Sequence, residues 1–136
     1  MARYLVVANQ TLGGDHLMTE LKERVAKGDC EVHVLVPATP EPGTLVGDEA
    51  GDVAAAQHRL DDAMTRFGGL GCKVTGEIGD VRPVEAIGDT MRREPPFDEI
   101  ILSTLPPGLS KWLGLDLPSR VGRAYDLPIT HVTAPH

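Results

Sequence analysis

Residues 3–37, RYLVVANQTLGGDHLMTELKERVAKGDCEVHVLVP, decide the fold because the hydrophobic period changes twice within them. "RYLVVA" (3–8) is a short continuous apolar run, as in strands covered on both faces. "GDHLMTELKERVAKG" then spaces Leu17, Leu21 and Val25 four apart and stops at Gly28, which is the pattern of an amphipathic helix. "CEVHVLVP" (30–37) returns to β-branched residues and ends on Pro37.

The alternation continues outward. "DVAAAQHRLDDAMTRFGG" (52–69) is a second helix, with Val53, Ala56, Leu60, Met64 and Phe67 on one face and Gly68-Gly69 at its end. "CKVTGEIGD" (72–80) is a third strand. "RPVEAIGDTMRREPP" (82–96) is a third helix, with Pro83 suited to its first turn and Val84, Ile87 and Met91 on one side. "FDEIILSTLP" (97–106), "PSRVGRAY" (118–125) and "LPITHVTA" (127–134) read as strand, short helix and strand. "ATPEPGTLVGDEAG" (38–51) is a long Pro- and Gly-rich loop, of a length given to lids or mobile segments. Five strands alternating with four helices make an α/β protein, a doubly wound parallel sheet with helices on both faces.

At 136 residues the chain reads as one domain, 1–136, large enough to bury a core. It is 41% hydrophobic and 24% charged, an ordinary globular balance, but aromatics are only 4%, so Val, Leu, Ile and Ala must fill that core. A net charge of −7 argues against a nucleic-acid partner, which needs a basic face. The N-terminus lacks a signal-peptide layout and no run is long enough to cross a membrane, so no membrane partner is expected. Cys30 and Cys72 form no metal spacing and read as reduced thiols of a cytoplasmic protein. The five histidines show no ligand motif, so no metal and no cofactor is expected. Asp61-Asp62 and Glu20/Glu23 read as solvated helix faces. No nucleophile elbow, P-loop or GxGxxG occurs, so no catalytic residue is assigned.

In a doubly wound sheet the ligand crevice lies beyond the carboxyl ends of the strands. That directs attention to "ANQTLGG" (8–14), "PATPEPG" (37–43) and "STLPPGLSKWLGLDLPSR" (103–120). From Ser103 to Arg123 the charges are Lys111, Arg120 and Arg123 against Asp116 alone, opposite to the overall sign, as a site for a small anion would be. Trp112 reads as a hydrophobic plug that packs this loop down. For Ser103 and Thr104, ligand contact competes with local turn capping, and for Lys111 with a solvated surface position.

With these elements in this order, the chain resembles the universal stress protein family. "YLVVANQT" stands where that family has an apolar strand ending in Asp-Gly-Ser, and "DLPITHVTA" resembles its closing strand. The resemblance covers nearly the whole chain and implies the strand order 3-2-1-4-5. Its ATP-binding members carry Gly-x-x-Gly and, nine residues on, Gly-Ser or Gly-Thr after strand 4. A gap-free alignment puts Leu102, Leu105, Leu115 and Asp116 at those positions, and none of the four is retained.

Glycines there let backbone N–H groups turn toward phosphate. Here Pro106 and Pro107 have no N–H to give, and Asp116 reads as an N-cap whose carboxylate takes the donors a phosphate would use. The resemblance therefore implies a stress-response module, not an enzyme, with weak or no ATP binding. The residues it leaves as ligand-binding candidates are Ala8, Asn9, Thr11 and Val36 on the first two strands. From the later loop come Ser103, Thr104, Gly108, Ser110, Lys111, Asp116 and Ser119. An enzyme or binder of the same superfold acting on a nucleotide or other small anion is the alternative. The resemblance also implies a homodimer paired through strand 5, Pro128 to Ala134, whose edge groups are open. The strand order makes Cys30 and Cys72 neighbours at the starts of strands 2 and 3.

Overall fold

The five apolar runs pair as one parallel sheet in the order β3-β2-β1-β4-β5, the order the resemblance implies. The strands are β1 (Ala2–Val7), β2 (Cys30–Pro37), β3 (Lys73–Gly79), β4 (Glu99–Thr104) and β5 (Ile129–Thr133). The helices are α1 (Asp15–Ala26), α2 (Glu49–Gly68), α3 (Pro83–Arg93), α4 (Lys111–Gly114) and α5 (Leu117–Ala124). The computed structural model describes residues 1–40, 49–94 and 96–135. The lid reading of 38–51 therefore falls largely outside the described residues.

Side-chain alternation divides β1 between two cores. Tyr4, Val6 and Ala8 face α1 and α2, where Leu17, Leu21, Ala56, Leu60 and Phe67 meet them. Leu5 and Val7 face the other way, onto Ala86 and Ile87 of α3, Trp112 of α4, and Leu117 and Val121 of α5. Both faces are covered, which is why the strand carries no polar side. Fully burying each Val or Leu contributes about 1.5–3 kcal/mol.

Two apolar faces differ from the expected ones. Val53 is 45% exposed and Val84 36% exposed. Each points off the buried side of its helix, since Asp52 and Pro83, one residue before them, are buried. The buried side of α3 is instead Pro83, Ala86, Ile87 and Thr90.

One polar feature escaped the pattern altogether. Arg24, on α1, is buried, and its guanidinium meets Glu99 of β4 at 2.9 and 2.6 Å. Its Nη1 also donates to the Glu20 carbonyl and carboxylate at 2.8 and 2.9 Å. Glu20 is thus a partner of Arg24 and not part of a solvated face. Thr130 of β5 donates to Glu99 as well, so the cluster ties α1 to β4 and β5.

The pairing of Glu31 with Lys73 puts Cys30 across from Cys72, and both cysteines are free thiols. Among the described residues no helix is long and apolar enough to cross a membrane.

Candidate functional site

Chain direction sets where a crevice opens. β1 connects through α1 to β2 on one side, whereas β3 connects through α3 to β4 on the other side of β1. The loops leaving β1 and β4 part at this switch point, as open α/β sheets require.

Thr11 and Ser103 form the floor, and His16 stands behind Ser103. The Thr11 and Ser103 hydroxyls are 2.6 Å apart, and Ser103 Oγ lies 3.0 Å from His16 Nε2. The imidazole is seated against Gly14, where a Cβ would fall 2.3 Å from the ring Cε1. Only glycine leaves room for it. Burial lowers the His16 pKa below its ordinary value, with Asp15 opposing, so the ring is neutral at pH 7. Its Nδ1 is buried without a hydrogen bond among the described residues. The arrangement sets a hydroxyl beside a neutral imidazole.

The wall is built on Asn9. Its amide Nδ2 donates to the Pro37 carbonyl at 2.7 Å and to the Thr39 carbonyl at 3.4 Å. Its Oδ1 accepts from Arg59 Nη1 of α2 at 2.7 Å. Burial lowers the Arg59 pKa, which places a half-buried cation at the end of β1.

The roof is Trp112. Its indole N–H donates to Thr39 Oγ1 at 3.0 Å, and that hydroxyl donates to the Val81 carbonyl at 2.9 Å. The ring is 6% exposed, packed as the plug the sequence implied. Ser110 caps α4, its Oγ accepting from the Leu113 N–H at 3.1 Å, while Lys111 stays exposed at the rim. Between floor, wall and roof the free space is about 10 Å³. That is room for one water.

Of the candidates, Asn9, Thr11, Ser103, Thr104, Ser110 and Lys111 converge on this crevice. Thr104 is buried and bonds His131 Nε2 at 2.8 Å. Ala8 and Val36 are fully covered in the core below it. Gly108, with φ +88°, lies in the exposed turn after Pro107; Asp116 and Ser119 are exposed at the start of α5. Those three do not line the crevice.

Asp116 departs from its expected role. It occupies the N-cap position of α5 at φ 57° and ψ 41°, left-handed, and its side chain makes no capping bond. A cap takes extended backbone to aim its oxygen at the helix N–H groups. Leu102 departs too: it is a ladder residue of β4, paired with Val7 and His131, with its side chain in the core. The gap-free alignment put a loop glycine on a strand residue. Leu115 is 50% exposed and only Leu105 reaches the crevice.

Sequence reasoning missed His16 and Arg59, and reached Thr39 only within the stretch 37–43. Thr39 stands two residues after β2, at a position that marks the crevice in this fold. His16 and Arg59 carry no motif, and only the folding of α1 and α2 onto the sheet brings them to Ser103 and Asn9.

No protein-family model matches the chain, and no curated protein matches it significantly. Solved structures do. A universal stress protein from Archaeoglobus fulgidus superposes with a TM-score of 0.63 at 14% identity, over 97% of this chain and 93% of that one. A universal stress protein family protein from Arabidopsis thaliana with AMP bound gives 0.67 at 13%, over 99% and 93%. A universal stress protein in complex with cAMP gives 0.54 at 16%, over 98% of both. Likeness of this degree over whole chains fixes the architecture, and this chain has the universal stress protein fold.

Proposed function

We propose that this chain is a non-catalytic universal stress protein-like module of the stress response, cytoplasmic, with an adenine-nucleotide crevice closed by its own side chains. The observation that carries this is the double tether on Thr39, held by Asn9 at its carbonyl and by Trp112 at its hydroxyl. Small-molecule sites occupy roughly 300–1,000 Å³, whereas this crevice offers about 10 Å³. Admitting a nucleotide requires breaking the Asn9 and Trp112 hydrogen bonds, each worth about 1 kcal/mol net. Two or three such bonds weaken binding roughly 30- to 150-fold. Neighbours of this fold bind AMP and cAMP, so those nucleotides and ATP are the ligands to try.

Calorimetric titration with ATP, AMP and cAMP tests the reading, with native mass spectrometry for carried ligand. The expected result is no bound nucleotide and dissociation constants of about 1 mM or weaker. Co-purified nucleotide, or micromolar affinity, overturns it.

The Ser103–His16 pair favours a second reading, an enzyme or binder of the same superfold acting on a nucleotide or other small anion held near Arg59 and Lys111. In that reading Asn9, Thr11, Ser103, Thr104, Ser110 and Lys111 contact the ligand. Turnover in a nucleotide screen that disappears in His16→Ala establishes it. The first reading expects no turnover.

A homodimer through Pro128–Ala134 belongs to the same proposal. β5 is the edge of the sheet, with His131 and Thr133 exposed, and an open edge is a template for pairing. Light scattering at high concentration is expected to give twice the chain mass. A monomer there removes this part of the proposal.

A further inference from the structure

At the end of the sheet away from the crevice, two thiols face each other across neighbouring strands. Cys30 opens β2, and Cys72 stands opposite it, one residue before β3. Adjacent strands lie about 4.8 Å apart, inside the 4.4–6.8 Å Cα separation a disulfide needs. Cys72 sits in a bend after Gly71, whose φ is +87°. It precedes the regular ladder that begins at Lys73, so its side chain can turn without breaking a strand bond.

The two sulfurs differ in access. Cys30 is buried, and burial and then the neighbouring Cys72 push its pKa up. Cys72 is half-buried, with its Sγ 4.0 Å from the Phe67 carbonyl. Both border an open cleft of about 320 Å³, rimmed by Val25, Asp29 and Lys73. A small oxidant reaches Cys72 through that cleft, and Cys30 is the group placed to resolve what forms.

We propose that Cys30 and Cys72 are a peroxide-sensitive dithiol that closes reversibly to an intramolecular disulfide between β2 and β3. The Cys72 thiolate attacks one oxygen of hydrogen peroxide; the O–O bond breaks, and hydroxide leaves and is protonated to water. This gives a sulfenic acid on Cys72. Cys30 then attacks the Cys72 sulfur, the S–S bond forms, and hydroxide leaves with the Cys30 proton as a second water. Two thiols lose two electrons and the peroxide gains them. An external dithiol reverses the step by exchange.

The test treats the fully reduced chain with a modest excess of hydrogen peroxide and reads intact mass and non-reducing peptide maps. The expected product has lost two hydrogens, joins the peptides carrying Cys30 and Cys72 within one chain, and returns to two thiols with dithiothreitol. In Cys30→Ser, a sulfenic-acid trap is expected to label Cys72. In Cys72→Ser, Cys30 is expected to react roughly tenfold more slowly. The unmodified chain decides the matter even if a variant folds poorly. Two thiols that persist, sulfinic or sulfonic acid as the main product, or a bond between two chains overturns the proposal.

Discussion

Trp112 and Thr39 lie 73 residues apart in the chain and are joined by a 3.0 Å hydrogen bond from indole to hydroxyl. The bond holds the exit of β2 against α4 and closes the crevice. Trp112→Phe keeps most of the packing and removes the donor, so it is expected to destabilise by about 1 kcal/mol. Trp112→Ala also removes the buried ring and is expected to lose about 3–5 kcal/mol. Urea denaturation of the two variants checks the difference. Equal losses show that the buried ring adds nothing beyond the hydrogen bond, and no loss in Trp112→Phe shows that the hydrogen bond contributes nothing.

The Arg24–Glu99 pair sets an acid limit on stability. Burial opposes ionisation of Glu99, but hydrogen bonds from Arg24 and Thr130 outweigh it and hold the carboxyl below its ordinary range. A carboxyl depressed in the folded state contributes stability above its unfolded pKa, near 4.3, and loses it as pH falls through the folded value. Arg24→Met leaves that carboxylate partly buried and unpaired, at a loss of about 3 kcal/mol at pH 7. Arg24→Met with Glu99→Leu is expected to recover most of it. Stability curves from pH 7 to pH 3 test both, and Glu99→Leu alone is expected to flatten the acid limb.

His16 gives a second pH dependence, of the same direction but in another window. Its folded pKa is lowered below its ordinary 6.5, so the unfolded chain binds a proton more readily. Stability therefore rises with pH between the folded value and about 6.5, and falls as the ring is protonated. His131, exposed on β5 but with its ring partly desolvated and its pKa lowered, adds a smaller part to the same slope, so His16→Gln is expected to remove most but not all of it. Gly14→Ala, by displacing the ring from Ser103, is expected to return the His16 pKa toward 6.5. NMR titration of the imidazole reads this directly. An unshifted His16 in the unmodified protein contradicts the placement of its ring behind Ser103.

Asp116 is strained by its backbone and not supported by a cap. At φ 57° with no capping bond, replacement by glycine relieves an L-residue of a left-handed conformation, worth up to about 1 kcal/mol. Asp116→Gly is expected to raise the melting temperature by about 3–5 °C. Asp116→Ser, keeping the strain and losing no cap bond, is expected to leave stability close to unchanged. A melting temperature lowered by both variants would show that the carboxylate supports α5 after all.

Local pattern carried the elements. "RYLVVA", Leu17-Leu21-Val25 and "CEVHVLVP" determine strand, helix and strand because burial imposes a period on the chain wherever an element meets a core. Twisted parallel strands then admit few ways to fold, and the resemblance selected the order that the sheet adopts. The plug role of Trp112 was legible for the same reason: one large apolar ring in a loop must be covered by something.

What tertiary structure alone decided is which polar groups meet. Arg24 reads as one more charge on an amphipathic helix, and only the packing of α1 over β4 and β5 turns it into the partner of Glu99. His16 and Ser103 are 87 residues apart, Arg59 and Asn9 50. Asp116 has the residue type of a cap but not the backbone, and Leu102 falls in a strand where the aligned family position is a loop. Hydrophobic burial leaves a periodic trace in sequence because it is non-directional and repeats along an element. A hydrogen bond needs two particular atoms about 3 Å apart, and neither partner's local sequence records where the other one is.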